Sequence, residues 1–430
     1  MTTEELYEIY RGASNGVTTD TRKCGPGMLF FALKGENFDG NDYAKDALDA
    51  GCVAAVVDDT KWNDFNSVIV VENVLTSMQE LAKMHRRTFD IPVLGLTGSN
   101  GKTTTKELVT AVISKKFKVH STKGNLNNHI GVPLTLLGTP SDCEFLIVEM
   151  GASHIGEIDT LVKIAEPNLG IITNIGLAHL EGFGGKEGVK KGKKELFDFL
   201  RSRESTVFVH GGHSELLEVS AGMNRVVFGT DENMPKARFI EGGGDRKYVW
   251  FEEGYESGNK PVKLEGDYNL DNIAAAIAIG RFFEVNREDV ESAISEYTPT
   301  NNRSQIHDTG SNEILLDAYN ANPSSMEKAL ISFEKNVHDP KLVILGDMRE
   351  LGDHSLESHG TIVELCKSLR LDAILVGEEF MNVESGEAGL KFYNTIEELM
   401  SHLEVETLRN KAILLKGSRG MAMERLLPLL

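Results

Sequence analysis

Residues 93–106 read V-L-G-L-T-G-S-N-G-K-T-T-T-K, and this stretch limits what the chain can fold into more than any other. An apolar run from Ile91 to Leu96, interrupted by Pro92, has the composition of a buried strand. Gly95, Gly98 and Gly101 then lead into Lys102 and three threonines. From Lys106 to Phe117 apolar residues recur at helical spacing, which predicts a helix there. Strand, glycine loop, Lys-Thr and helix together make a phosphate-binding turn. The glycines let backbone N–H groups converge on an anion, and the helix N-terminus adds partial positive charge. Lys102 is placed to reach the β- and γ-phosphates of ATP and Thr103 to hold Mg²⁺, with Gly98, Ser99, Asn100, Gly101 and Thr104 completing the loop. The spacing is G-x-x-G-x-x-G-K-T-T. The general G-x-x-x-x-G-K-[ST] pattern would put its first glycine at position 96, which is Leu96.

A chain of 430 residues has room for several domains around such a turn. Glycine (42) far outnumbers proline (11), as expected of an α/β protein with many tight turns between strands and helices. The net charge of −20 argues against a nucleic-acid partner, because phosphate backbones need a basic face. Against that background the basic positions Lys102, Lys190 to Lys194, and Lys416 with Arg419 stand out as places for anionic ligands. No apolar run reaches 18 residues, so no membrane span is expected. Met1 to Tyr10 carries three glutamates and no basic residue, so no signal peptide is expected. Cys24, Cys52, Cys143 and Cys366 are widely spaced, which fits reduced thiols in a cytoplasmic protein. A monomer is the expected state.

The pattern along the chain divides it into three units, residues 1–88, 89–300 and 301–430. The first is small and α/β, with apolar strands at Met28 to Leu33 and Val53 to Val57 and a helix at Asn41 to Ala50. Its polar cluster Thr19-Asp20-Thr21-Arg22 could grip an anionic or sugar ligand, or be a solvated turn. The second unit carries the glycine loop, strands at Phe145 to Met150, Leu169 to Ile175, Thr206 to Val209 and Arg225 to Phe228, and a helix at Ile273 to Phe283. Between these, residues 238–263 alternate apolar and polar and predict a small β-meander. The third unit alternates strand and helix cleanly from Glu313 to Leu415, which predicts a second parallel sheet of Rossmann-like form.

Ligands in open α/β sheets collect at the carboxyl ends of the strands. That edge should gather the glycine loop, Glu149 and His179. A strand-end acid facing a phosphate loop is a natural Mg²⁺ ligand, and a histidine beside it could serve a second ion. Taken singly, each could equally be a salt bridge or a hydrogen-bonded loop residue; beside the glycine loop the metal reading carries most of the weight. The run Lys190-Lys191-Gly192-Lys193-Lys194 would ordinarily be a solvated helix face, and spacing alone does not choose one functional lysine from it. In the third unit four polar stretches fall at the inter-domain junction or at strand ends. They contain Arg303, Asp317 with Asn320 and Asn322, the segment Gly346 to Gly352, and Lys416 with Arg419.

Together these motifs resemble the Mur ligases of peptidoglycan synthesis. The resemblance rests on T-G-S-N-G-K-T-T, V-E-M-G-A, A-H-L-E-G-F-G, G-N-L-N-N-H-I-G-V-P-L-T-L-L, G-A-S-H-I-G-E-I, D-A-Y-N-A-N-P-S-S-M, L-G-D-M-R-E-L-G and K-G-S-R-G-M-A-M-E, spread over the whole chain. Within the family the pattern is most similar to members that add D-alanyl-D-alanine to a UDP-muramoyl tripeptide. A sibling that adds a diamino acid carries D-N-P-R where this chain has A-N-P-S-S-M. The resemblance implies three domains, ATP and two Mg²⁺ ions, and an acyl-phosphate intermediate. It implies that Lys102, His179 and Lys193 are catalytic, with Lys193 carbamylated, and that Thr103, Glu149, His179 and Lys193 hold metal. Asn269, Asn272, Arg303 and Asp317 are then implied as further ATP contacts, and Thr19, Asp20, Thr21, Arg22, Asn127, Asn128, Asn320, Asn322 and Arg419 as substrate contacts. Two departures stand out: D-G-N at Asp39 to Asn41 where many relatives have D-G-H, and Tyr268 where a histidine usually precedes the asparagine. Two other readings fit the residues alone, an amide ligase with another acceptor and a non-catalytic nucleotide switch.

Overall fold

The computed structural model describes residues 1–240, 246–383, 386, 389–403 and 408–430. Helix α1 (Thr3–Gly12) opens on a capping box between Thr2 and Glu5. The first sheet follows, with parallel strands β1 (Val17–Thr18), β2 (Leu29–Phe31), β3 (Ala54–Val57) and β4 (Val68–Val70) in the order 1-2-3-4. The helix expected at Asn41 to Ala50 begins as a 3₁₀ turn and is α-helical only from Ala44 to Asp49. Helix α2 (Val74–Arg86) links this unit to the next.

The central sheet is wholly parallel. Its strands are β5 (Val93–Thr97), β6 (Val119–Ser121), β7 (Phe145–Glu149), β8 (Leu169–Ile172), β9 (Thr206–His210) and β10 (Asn224–Phe228), ordered 10-9-8-5-7-6. The strands beside the glycine loop are buried on both faces, which is why they read as continuous apolar runs rather than alternating ones. Helix α3 spans Lys102–Ile113, four residues earlier than the predicted 106–117. Threonine is a poor helix former, so Thr103 to Thr105 gave no helical signal, yet all three are buried in the first turn. The strand predicted to reach Ile175 stops at Ile172, and the rest is loop.

The one-turn helix α4 (Leu180–Phe183) and the 16-residue helix α5 (Lys186–Arg201) lead to α6 (Ser214–Val219). The predicted meander is an antiparallel sheet of β11 (Lys236–Ile240), β12 (Lys247–Glu252), β13 (Tyr255–Glu256) and β14 (Lys260–Pro261). Its part at 241–245 lies outside the described residues. Helix α7 (Asn269–Phe282) is apolar almost all round and packs beside α3.

The last sheet holds β15 (Gln305–Asp308), β16 (Glu313–Asp317), β17 (Lys341–Gly346), β18 (Asp372–Val376), β19 (Leu390–Tyr393) and β20 (Ala412–Lys416), ordered 15-16-20-17-18-19. It is parallel except for the edge strand β15, which pairs antiparallel with β16. Helices α8 (Pro323–Asn336) and α9 (Ser355–Ser368) are two of its crossovers. The three-domain α/β plan agrees with the sequence reading. The carboxyl ends of this sheet face the glycine loop. Asn322 Nδ2 donates to Asn100 Oδ1 at 2.8 Å and the Leu177 amide donates to Ser324 Oγ at 2.8 Å, so the third domain is docked on the second.

Candidate active site

A cavity of about 820 Å³ opens where the two parallel sheets meet. Its wall includes Ser99 to Thr104 from the glycine loop, Asn127, Asn128, Glu149 and His179 from the central domain, and Arg303, Asp317, Asn320 and Asn322 from the last one. Gly98 holds φ +148, and a Cβ there would lie 1.9 Å from Thr173 Oγ1, so only glycine lets the loop turn at that point. Lys102 Nζ donates to the Gly98 carbonyl at 2.6 Å and the Ser99 carbonyl at 3.2 Å. Burial pushes its pKa down from 10.5 to about 8, against the pull of Glu149.

Glu149 ends β7 and its side chain is 1% exposed. One oxygen accepts from Asn127 Nδ2 at 2.8 Å and Thr103 Oγ1 at 3.3 Å. The other, Oε2, has no hydrogen-bond partner among the described residues, and the buried Lys106 ammonium stands 3.8 Å away. Buried carboxylate oxygens are rarely left unpaired. An orphaned one beside a threonine hydroxyl, at a phosphate loop, is the donor set a hard divalent cation takes.

His179 caps α4 in the left-handed region, φ +53, and its Nδ1 is hydrogen-bonded to the Glu350 carboxylate of the last domain. Glu350 sits in the predicted strand-end loop Gly346 to Gly352, but only the docking of two domains shows that it meets His179. Among the clustered lysines the structure makes the choice that spacing could not. Lys190 pairs with Glu218 and Lys194 with Asp198. Lys193 falls on the apolar face of α5 with Val189, Leu196, Phe197 and Leu200, and is 1% exposed. Its ammonium donates to the Ala152 carbonyl at 3.1 Å and lies 4.9 Å from the Phe183 ring centre. Burial, together with the charge of Lys102, drives its pKa well below the usual lysine range. Lys193 does not itself line the cavity; Ala152, its acceptor, does.

At the other end Asn269 and Asn272 form a hydrogen-bonded pair on the first turn of α7, 2.8 Å apart. Thr105 Oγ1 donates to Asn272 Oδ1 at 2.9 Å, and a Cβ on Gly101 would approach that oxygen to 2.5 Å. The hydroxyl of Tyr268, one of the two departures from the family pattern, meets Ser304 Oγ at 3.0 Å. Arg303 stacks on the Tyr319 ring at 3.7 Å, and Asp317 is held by Lys416 Nζ at 2.5 Å. Lys416, expected to meet an anionic ligand, is on the wall, and Tyr319, Ser304 and Glu350 are wall residues the sequence reading did not name as contacts. Thr19, Asp20, Thr21 and Arg22 lie away from this cavity, and there Asp20 accepts from the Arg22 guanidinium at 2.9 Å. Arg419 also stands off the wall and pairs with Glu424 at 3.2 Å.

Three family models match consecutive stretches: "Mur ligase family, catalytic domain" over residues 14–94, "Mur ligase middle domain" over 96–280 and "Mur ligase, glutamate ligase domain" over 302–419. A UDP-N-acetylmuramoyl-tripeptide--D-alanyl-D-alanine ligase of Bacillus subtilis (strain 168) is 34% identical, over 96% of this chain and 92% of its own length. The chain belongs to the Mur ligase family. A relative of the same name from Escherichia coli (strain K12) is 32% identical over 99% of this chain and 97% of its own. Among solved structures, MurF from Acinetobacter baumannii superposes with a TM-score of 0.86 at 28% identity, covering 99% and 98% of the two chains. MurF ligase from Thermotoga maritima in complex with ADP gives 0.84 at 25% identity, covering 97% of each. Gly95, the glycine one position off the general pattern, lies inside β5, where a Cβ would come within 3.0 Å of Leu196 on α5, and Glu149 and His179 share the cavity wall with the loop that follows.

Proposed function

We propose that this Mur ligase joins D-alanyl-D-alanine to UDP-N-acetylmuramoyl tripeptide with ATP, giving the pentapeptide, ADP and phosphate in the cytoplasm. The observation that carries this reading is the shared cavity. A phosphate loop supplies one wall and the strand-end loops of a second sheet the other, in a chain that matches ligases of that name along nearly their whole length. The tripeptide carboxylate attacks the γ-phosphorus, the bond to ADP breaks, and an acyl phosphate forms. The dipeptide amine then attacks the acyl carbon, and phosphate leaves from the tetrahedral intermediate. No covalent enzyme nucleophile is needed, so the chain's work is positioning and charge stabilisation.

The Lys102 ammonium stabilises the phosphoryl group in transit, releasing the loop carbonyls it holds in the free chain. Asn269 and Asn272 face the adenine, and Arg303 and Asp317 reach the nucleotide from the third domain. Thr103 and Glu149 would hold one Mg²⁺, and His179 with a carbamate on Lys193 would hold a second; bound Mg²⁺ neutralises phosphate charge. A buried lysine with a depressed pKa is the neutral amine that adds carbon dioxide, which turns it into an oxygen ligand. Residues 1–88, with Thr19 to Arg22, take the uridine nucleotide. Residues 89–300 bind ATP. Residues 301–430 bring Asn320, Asn322 and Arg419 to the dipeptide and close over ATP. A coupled phosphate-release assay tests the reading. Release should need the UDP-muramoyl tripeptide and D-Ala-D-Ala together. Turnover with UDP-muramoyl dipeptide and free diaminopimelate, and none with D-Ala-D-Ala, would overturn it.

A further inference from the structure

At the edge of the cavity, with Asp271 on its wall, lies a cluster to which the proposed ligase reaction assigns no role. His210 ends β9, His213 precedes the first residue of α6, and Asp271 sits in the first turn of α7. Their ligand atoms all lie within 4.8 Å of one another, and among the described residues no other group of three His, Cys, Asp or Glu side chains converges so closely. His210 Nε2 is 3.3 Å from Asp271 Oδ1, and His213 Nε2 is 2.9 Å from Asp271 Oδ2. The two rings stand 4.8 Å apart at 60°. None of the three is fully exposed: their side chains keep 13%, 28% and 33% of their accessible surface.

We infer that His210, His213 and Asp271 form a binding site for a zinc-class divalent cation, distinct from the Mg²⁺ ligands at the phosphate loop. Bonds of about 2.0–2.1 Å in a tetrahedron give ligand–ligand edges of roughly 3.3 Å; the two histidine–carboxylate distances are of that size, and small side-chain rotations bring the whole set, already within 4.8 Å, onto one ion. Two imidazoles and one carboxylate suit zinc, cobalt or nickel rather than magnesium, which prefers oxygen throughout. Three protein ligands leave a fourth position for water or a ligand group.

In the empty site the His213 Nε2 proton is donated to the carboxylate, and His210, whose Nδ1 accepts from the Gly212 amide, turns its Nε2 proton toward the other carboxylate oxygen 3.3 Å away. A cation takes the place of those protons, which shift to Nδ1. For His210 that shift displaces the Gly212 amide, which now donates to Nδ1 at 3.1 Å. The Gly211-Gly212 pair is where the backbone can turn to allow it. Lys328, on the cavity wall, places its positive charge near Asp271 and opposes the cation. Asp271 lies between Asn269 and Asn272 in sequence, so a bound ion would fasten the nucleotide-facing turn of α7 to the end of β9. This inference does not depend on the ligase reading.

The test is calorimetric titration of the full chain with zinc in excess Mg²⁺, and with Co²⁺ followed by its visible absorption. One equivalent of zinc should bind despite the Mg²⁺, and Co²⁺ should give the intense bands of a four-coordinate ion. His213→Gln and the near-isosteric Asp271→Asn should each weaken binding by on the order of 100-fold. Lys328→Met should tighten it, and His179→Gln should leave it unchanged. A flat zinc isotherm in Mg²⁺, or equal binding by the wild type and both ligand variants, would show that the cluster is only a hydrogen-bonded triad.

Discussion

Lys102 in the free chain donates to two carbonyls of its own loop and is half neutral near pH 8, because burial favours the uncharged amine. A triphosphate favours the ammonium. Nucleotide binding just above pH 8 should therefore take up a proton, and the uptake should fade as the pH falls well below 8 and the free lysine is already charged. Calorimetry in buffers of different ionisation enthalpy reads this directly; buffer-independent heats just above pH 8 would contradict the assignment. Lys193 is the other residue whose surroundings decide its chemistry. Lys193→Ala should abolish ligation. A short carboxylic acid should restore part of the activity and bicarbonate should not, since only the former replaces the carbamate oxygens. Near-normal activity of the variant would remove Lys193 from the site.

Elements rather than single residues carry the joints between domains. Arg86 at the end of α2 is buried, and its guanidinium donates to three carbonyls, Ala165 at 3.0 Å, Glu166 at 3.0 Å and Phe89 at 2.9 Å. It ties the end of α2 to the loop before β8 in the central sheet. Arg86→Ala would leave carbonyls without donors, at a cost of about 3 kcal/mol, since each orphaned acceptor costs roughly 1–3 kcal/mol. A lowered urea midpoint checks this; an unchanged midpoint would show that water replaces the guanidinium. The elements most legible in the sequence were those whose local pattern was strong. The strands β5, β7 and β8 were visible as apolar runs ending on functional residues. The edge strand β15, Q-I-H-D, carries no apolar periodicity and gained its identity only from pairing with β16. Helix α3 began early because burial overrode the weak propensity of its threonines.

At the scale of the whole molecule the ligand-facing residues are divided between sheets, and the docked arrangement brings them together. Asn100 with Asn322 and His179 with Glu350 bridge the central and last domains. Glu350 is more than half exposed, so this ion pair alone contributes little. Removing both bridges, as Asn322→Ala with Glu350→Ala, should loosen the docking. The expected signature is a larger radius of gyration in solution scattering without ligand, reversed by a non-hydrolysable ATP analogue. Identical curves for the variant and wild type would show that apolar contacts hold the domains together without these bridges.

The sequence by itself determined the phosphate loop, the two parallel sheets, the antiparallel insert and the family, because glycine spacing, buried-strand runs and strand-end motifs are local properties of the chain. It named Glu149 and His179 as facing the loop, since both follow strands of one sheet. Three things were settled only by the tertiary structure. The burial of Lys193, the lysine that the resemblance had already pointed to, came from the packing of one helix face, which the spacing of the lysine run did not reveal. Glu350 met His179, and Tyr319 supported Arg303, through the docking of the third domain and the folding of its entry loop. His210, His213 and Asp271, two of them 58 residues or more from the third, converged through the packing of α7 against the end of β9. Contacts between distant segments depend on how sheets and helices stack, and no local pattern encodes that.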